Sequence, residues 1–387
     1  MTKLILHIGT HKTGTTALQS TFAHNAKTLA AHGIGYPIAK VSYPKIPRKR
    51  NAYYLGRGAK AILSPASKED FDDSYYKSCQ KSVLAACNAR ETILLSDERL
   101  WFEGAIRENF WKTVKELLEP YGFSSIRIVL YLRRQDQFAT SLWKQFVKGT
   151  LRESRPLEQY TKGKRTSSVL NYELGITRLE KAFGAENITI RIFDRAQFPG
   201  GDIVHDFCDC VGFDFFEELE RVNIQENPSL TNRVAYLKNL VNRGTYVQEA
   251  DNIFHRPSLV ASALEEERDE RPYLSYEQAT SLLERYEEGN ARIARDYFGR
   301  EDGKLFSDPS PDKGHFEGDL SQTEIDALMM LSEGLCLERM QRLELQARVN
   351  DLEHELSAAN SRGLSGYITH VKRGIKRRVK NVLKSRD

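Results

Sequence analysis

Long apolar runs are missing from this chain. Nowhere do 18 apolar residues follow one another, so no segment reads as a membrane-spanning helix. Cysteine is scarce and odd in number. Cys79, Cys87, Cys208, Cys210 and Cys336 are scattered, and Cys208-x-Cys210 lacks the two-residue spacer of common zinc or redox pairs. All five read as reduced thiols in a reducing compartment. No basic-then-apolar leader with a cleavage site opens the chain. The expectation is a cytoplasmic protein, with peripheral contact at the inner membrane face as its only membrane link. Neither sign of charge dominates: 57 Lys and Arg against 53 Asp and Glu leave +4, too little to argue for nucleic acid. No internal repeat of longer period recurs. With 387 residues, 40% hydrophobic and 28% charged, the chain can build one large α/β domain plus an appendage.

What the chain does have is a strand that turns sharply into a helix at its very beginning. Leu4-Ile5-Leu6-His7-Ile8 is an apolar run; Gly9-Thr10-His11-Lys12-Thr13-Gly14 breaks it, and a helical pattern resumes at Thr15-Thr16-Ala17-Leu18-Gln19. Such a turn aims several backbone N–H groups at one spot, and the helix N-terminus adds about half a positive charge there. That geometry binds phosphate. Glycine lets the backbone approach the oxygens, Thr15 and Thr16 add hydroxyl donors, and Lys12 can reach a transferring group. Gly9 and Gly14 have the separation of a Gly-x4-Gly-Lys-Ser/Thr loop, but the lysine comes two residues before the second glycine instead of after it.

Two further apolar runs end in polar clusters, the pattern of buried parallel strands that deliver side chains at their C-terminal edge. Thr92–Ser96 precedes Asp97-Glu98-Arg99, and Ile126–Leu132 precedes Arg133-Arg134-Gln135-Asp136. Residues from Asp136 onward read as helical, which brings Ser141 back toward Arg133. An arginine fork and a hydroxyl make a clamp for a terminal phosphate. In open α/β sheets ligands collect at that edge. Further helices are expected over Ala17–His32, Glu69–Asn88, Glu108–Leu118, Leu170–Phe183, Asp202–Val211, Asn227–Asn242 and Leu274–Tyr297, and a strand over Ile188–Phe193. Pro37–Ser67, with its cluster Lys45, Arg48, Lys49 and Arg50, reads as a long loop, solvated or folded over a ligand.

Lys12-Thr13-Gly14-Thr15-Thr16 matches the Lys-x-Gly-Thr loop of the sulfotransferases that use 3′-phosphoadenosine-5′-phosphosulfate (PAPS), and Arg133 with Ser141 matches that family's arginine and serine spacing. The chain resembles that family, in its bacterial carbohydrate-sulfotransferase-like form, over roughly residues 3–306. The family's usual Asn-Pro after the arginine is Arg134-Gln135 here. The resemblance implies a P-loop-NTPase-like α/β fold of three layers with a central parallel sheet. It also implies PAPS as co-substrate, no metal, and transfer to a hydroxyl (or amine) of an acceptor, most plausibly a carbohydrate. Thr10, His11, Lys12, Thr13, Gly14, Thr15 and Thr16 would hold the 5′-phosphate end, Arg133 and Ser141 the 3′-phosphate. Lys12 would neutralise the leaving group. Related polysaccharide enzymes use a glutamate base after a central strand, which points to Glu98 first and Asp97 second. His11 is a further candidate; His7, inside the strand, reads better as a core histidine. A P-loop kinase or NTPase, or a non-catalytic basic scaffold, is the alternative.

The expected division is a catalytic domain over 1–307, a Pro/Gly/Asp-rich linker over 308–320, a helical segment over 321–361 and a basic tail over 362–387. Leu345, Val349, Leu352, Leu356 and Ala359 alternate at spacings of 4 and 3 for about two heptads, a candidate self-association stripe over 345–359. Ile368, Val371, Ile375, Val379 and Val382 share one helical face among eight Lys and Arg, so 367–386 is a candidate for peripheral contact with an anionic membrane.

Overall fold

The computed structural model describes residues 2–44, 46–64, 72–149, 151–222, 230–243, 271–307, 315–316, 318, 322–361, 371–372 and 374–379. Five parallel strands form the central sheet: β1 (Lys3–His7), β2 (Ile34–Gly35), β3 (Thr92–Ser96), β4 (Ser125–Leu132) and β5 (Ile188–Ile192), in the order β2-β3-β1-β4-β5. Parallel strands need covered crossovers, and helices supply them. In chain order these are α1 (Thr15–His24), α2 (Ala26–Ala31), α3 (Tyr53–Leu63), α4 (Asp73–Cys87), α5 (Arg99–Ile106), α6 (Phe110–Leu118), α7 (Gln135–Lys148), α8 (Leu157–Lys162), α9 (Lys164–Leu170), α10 (Tyr172–Phe183), α11 (Ile203–Val211), α12 (Asn232–Val241), α13 (Tyr276–Glu284), α14 (Glu287–Phe298) and α15 (Gln322–Ser361).

Strand side chains alternate between the faces. On one face Ile5, Leu94, Val129 and Tyr131 pack with Leu18 and Phe22 of α1, Leu29 of α2 and Phe207 of α11. On the other, Leu4, Leu6, Ile93, Leu95, Ile128 and Leu130 are equally buried; α3, α5, α6 and α10 pack on one another, with α10 against β5. The result is a helix–sheet–helix sandwich, the three-layer α/β architecture expected from the sequence.

Several boundaries differ for local reasons. The helix expected over Ala17–His32 breaks at Asn25. Its Nδ2 donates to Thr21 O at 2.8 Å and to Glu220 O at 2.9 Å, and its Oδ1 accepts from Glu220 N at 3.0 Å. A side chain that bonds distant backbone competes with the helix ladder. The expected loop over Pro37–Ser67 contains α3, because Tyr53, Tyr54, Leu55 and Ala59 bury one face. The polar cluster after β3 continues as α5, anchored by the buried Leu100 and Trp101. The expected start of the helix at Asn227 lies outside the described residues; α12 begins at Asn232, capped by Thr231, whose hydroxyl accepts from Val234 N. At the last expected helix Ser275 and Gln278 form a reciprocal capping box, and the segment is divided at Arg285–Tyr286 into α13 and α14.

The chain divides into two compact units: Met1–Gln145 with Arg155–Ser229 and Arg268–Glu317, and Phe146–Ser154 with Leu230–Glu267 and Gly318–Asp387. The first holds the sheet. In the second, Asn242 donates to Val147 O and Glu153 O, and Asn239 to Glu153 O, all at 3.0–3.1 Å. Val349, Leu352 and Leu356 are the half-buried positions of their stretch of α15. Leu345, Val349 and Leu352 line one groove with Ile375 and Val379 of the tail, so these members of the two apolar stripes face one another. Ile368, Val382, and the linker apart from residues 315, 316 and 318 lie outside the described residues. No helix among the described residues is long and apolar enough to cross a membrane.

Space on the helical face beneath α10 is used to its limit. A Cβ on Gly175 would lie 2.3 Å from the Trp101 ring, whose Nε1 donates to Val169 O at 3.2 Å. Gly175→Ala should therefore cost about 1–3 kcal/mol by overpacking, read as a lower urea midpoint at unchanged slope. Wild-type stability would show that α10 shifts freely.

Candidate active site

The site begins where β1 ends. Beyond its last formal residue the chain keeps pairing with β4, through Ile8 N to Val129 O at 3.0 Å and Thr10 N to Tyr131 O at 3.1 Å. It must then turn into α1 at Thr15. Lys12 does so with φ 65° and Gly14 with φ 70°, while Thr13 between them is not left-handed. A left-handed lysine is costly unless its surroundings enforce it, and such alternation gathers N–H groups into an anion-binding concavity. Gly14 has a second reason to be glycine: a Cβ there would lie 2.6 Å from Ile203 Cδ1 and 3.3 Å from Phe193 Cε2. The α1 N-terminus carries no side-chain cap and no acid in its first turn. Its orphan N–H groups and partial positive charge thus face the loop.

Polar atoms of this loop are buried without protein partners. Thr10 Oγ1, Thr15 Oγ1 and His11 Nδ1 make no hydrogen bond, whereas Thr13 Oγ1 donates to Thr10 O at 2.6 Å. Buried polar atoms are nearly always paired, so a cluster of exceptions on an uncapped helix start marks a place for an anionic ligand. Across the loop, Arg133 donates from Nη1 to Lys12 O at 3.4 Å and from Nε to Gln137 Oε1 at 3.1 Å. Its guanidinium lies 5.8 Å from the Phe193 ring centre, and Tyr172 OH donates to its carbonyl. Ser141 stands on α7 one turn beyond Gln137, so the sequence-predicted arginine and serine flank a glutamine that sequence reasoning missed.

The second half of the site is the end of β3, beside β1 with His7 opposite Ser96. β2 covers only the start of β3. Past it, Asn51 takes over the exposed edge, donating to Leu94 O at 3.0 Å and accepting from Ser96 N at 2.7 Å. That clip carries Arg50 onto Asp97: Nε and Nη2 each donate to the carboxylate at 2.9 Å. Asp97 is 0% exposed, and its Oδ1 also accepts from Arg99 N at 2.8 Å. Burial pushes its pKa upward, against the pull of the Arg50 fork. Both oxygens are thus committed to hydrogen bonds.

Glu98 is different. Its side chain is 16% exposed, Oε2 accepts from Gln19 Nε2 at 3.1 Å, and Oε1 stands 3.4 Å from Arg50 Nη1. His11 lies between the two halves, its ring edge-on to Phe102 at 6.1 Å. Burial lowers its pKa to about 3, and Arg50, Arg99 and Lys12 add to the effect, so it is neutral and a weak base. His7 is lowered to about 3 by burial alone. Of the loop expected over Pro37–Ser67, Arg48 donates to Ala39 O at 2.7 Å and Lys49 Nζ to Ser20 Oγ, so its cations are tied down; Lys45 lies outside the described residues. Among the described residues no cluster of three or more His, Cys, Asp or Glu could hold a metal ion.

No protein-family model matches the chain. An uncharacterized protein of Archaeoglobus fulgidus is 30% identical over 202 residues, 50% of this chain and 53% of that protein. The chain thus spans about half the length of this curated relative. Two solved structures share part of its course. A sulfotransferase from Alicyclobacillus acidocaldarius is 15% identical, with a TM-score of 0.37 over 66% of this chain and 99% of that one. The sulfotransferase domain from the curacin biosynthetic pathway is 8% identical, with a TM-score of 0.37 over 74% and 97%.

The buried histidines make stability depend on pH. The folded pKa of His7, about 3, lies below its ordinary 6.5, so the unfolded chain takes up the proton first. This contribution is whole above about pH 6.5 and is lost as pH falls toward 3; His11 acts with the same sign. His7→Gln should therefore flatten the fall in unfolding free energy between pH 6.5 and 4, measured by urea titration at each pH. An unchanged slope would mean that His7 takes up its proton in the folded chain.

Proposed function

We propose that the protein is a sulfotransferase that moves a sulfuryl group from PAPS to a hydroxyl of an acceptor, a carbohydrate in the reading favoured here. The observation that carries this is the loop from Thr10 to Thr16. An uncapped helix start, two left-handed residues and the buried unpaired hydroxyls of Thr10 and Thr15 form a cradle for phosphate oxygens. Arg133 faces it from the end of β4, and Glu98 stands at the end of β3. The backbone N–H groups with Thr15 and Thr16 would hold the 5′-phosphate. Arg133, with Ser141 on the same side of α7, would take the 3′-phosphate through charge-assisted hydrogen bonds.

In the reaction the acceptor oxygen bonds to sulfur while the bond from sulfur to the 5′-phosphate oxygen breaks. Glu98 takes the acceptor proton, and Lys12 neutralises charge growing on the leaving phosphate. Positioning and fixed charge supply most of the rate in such transfers. The Arg50–Asp97 pair supports Glu98 from below without competing for the proton. Against a kinase or NTPase stand the lysine placed before the second glycine of the loop and the Arg133–Ser141 pair.

Adenosine 3′,5′-bisphosphate should raise the melting temperature of the protein, and ATP with magnesium should not; the opposite pattern would replace sulfuryl transfer by phosphoryl transfer. Arg133→Ala should weaken adenosine 3′,5′-bisphosphate by ~2–4 kcal/mol, the scale of a lost charged partner. Adenosine 5′-phosphate should bind as before. Equal loss for both nucleotides would make Arg133 structural. Glu98→Gln should bind the bisphosphate normally and lose turnover of labelled PAPS on a glycan panel by ~100-fold or more. Full activity in that variant removes Glu98 as the base.

A further inference from the structure

We propose that Gln19, Ser96 and His7 are positioning residues, a hydrogen-bonded chain that runs from Glu98 on the acceptor side of the site to His7, whose second ring nitrogen borders the same space as the Thr15 hydroxyl on the donor side. The proposal rests on the sulfuryl-transfer reading of that site. Gln19 is 1% exposed on α1, one turn after Thr15. Its Nε2 donates to Glu98 Oε2 at 3.1 Å and to Ser96 Oγ at 3.3 Å, and reaches Ser96 O at 3.5 Å. A carboxylate and a carbonyl oxygen can only accept, so the amide nitrogen, not its oxygen, must face them. Ser96 Oγ, receiving the amide hydrogen, has its own hydrogen left for His7 Nδ1, 2.9 Å away.

The direction of the chain then sets the tautomer. His7 is 1% exposed, between the edges of Tyr131 and Phe207, and burial keeps it neutral. With Nδ1 accepting, the ring hydrogen sits on Nε2. That atom makes no hydrogen bond, and neither does Thr15 Oγ1. Both border the same small space over Gly9, where a Cβ would lie 3.0 Å from Nε2 and 3.1 Å from Thr15 Oγ1. Only glycine keeps that space open for the two polar atoms to approach. A Thr15 hydroxyl that borders an N–H donor favours turning its own hydrogen outward, toward the phosphate cradle. One run of donors thus holds the carboxylate at one end and presents an N–H toward the space beside the hydroxyl at the other. A buried histidine that would otherwise be only a core residue gains a task.

Histidine-selective 15N labelling of the full chain reads the tautomer, with His7→Gln assigning the signal. Wild-type His7 should be neutral and protonated on Nε2 from about pH 5 to 8. Gln19→Leu removes the amide donor and lets the Ser96 hydroxyl turn; Ser96→Ala removes the link itself. Either should convert the single tautomer into a mixture, and the two variants are read separately so that misfolding of one leaves the other decisive. Calorimetry should also show adenosine 3′,5′-bisphosphate binding about three- to tenfold more weakly to Gln19→Leu, and the nucleotide should shift the wild-type Nε2 signal. A pure Nε2 tautomer in a folded variant, with nucleotide affinity intact, overturns the chain while leaving the sulfotransferase reading standing. Wild-type protein that binds no bisphosphate overturns that reading, and with it the donor-side role proposed here, even if the tautomer responds.

Discussion

The seven residues from Ile8 to Gly14 carry the backbone out of the middle of a parallel sheet and into a helix, and the rest of the site follows from that constraint. β1 has a strand on each side, so its exit is held by β4 carbonyls on one flank and by β3 on the other. A chain so confined reaches α1 through left-handed residues at Lys12 and Gly14. The same turns leave the first N–H groups of α1 without partners inside the protein. The unpaired helix start is thus a consequence of the topology, and the buried hydroxyls of Thr10 and Thr15 stand beside it unpaired as well.

Charge at the neighbouring strand end is arranged with unequal commitments. Asp97 and Glu98 are adjacent in sequence, yet one is sealed beneath Arg50 and the other keeps a path to solvent. Removing two like charges from water would be prohibitive unless each had a partner. Arg50 serves both, with its fork on Asp97 and its remaining nitrogen toward Glu98. The long segment after β2 is accordingly more than a cover. Asn51 completes the edge of β3 where β2 stops, and that backbone-like pairing is what delivers Arg50 to its place.

Much of this was legible in the chain. Four strand runs and the strand–turn–helix loop read directly, because each depends on local periodicity and local backbone needs. Helix breaks were not. Asn25 ends α1 because Glu220, far away in sequence, offers it backbone partners. α3 hid within a stretch rich in Pro, Gly and cations, since its buried tyrosines are a core signal only once α5 and α6 lie against them. The basic cluster around Arg50 read equally as a solvated loop, for nothing in its own residues names Asp97.

By itself the sequence determined where a parallel α/β sheet forms and which loop turns sharply from strand into helix. Apolar runs, glycines and hydroxyls act on their near neighbours, and their spacing is written in the chain. Only the tertiary structure decided which of two adjacent acids is spent on an arginine, and which buried histidine, serine and glutamine meet between them. Those choices depend on β3 lying beside β1 with Ser96 opposite His7. Strand order is set by crossovers that bury the two faces of the sheet, a property of the whole fold that no single stretch of residues carries.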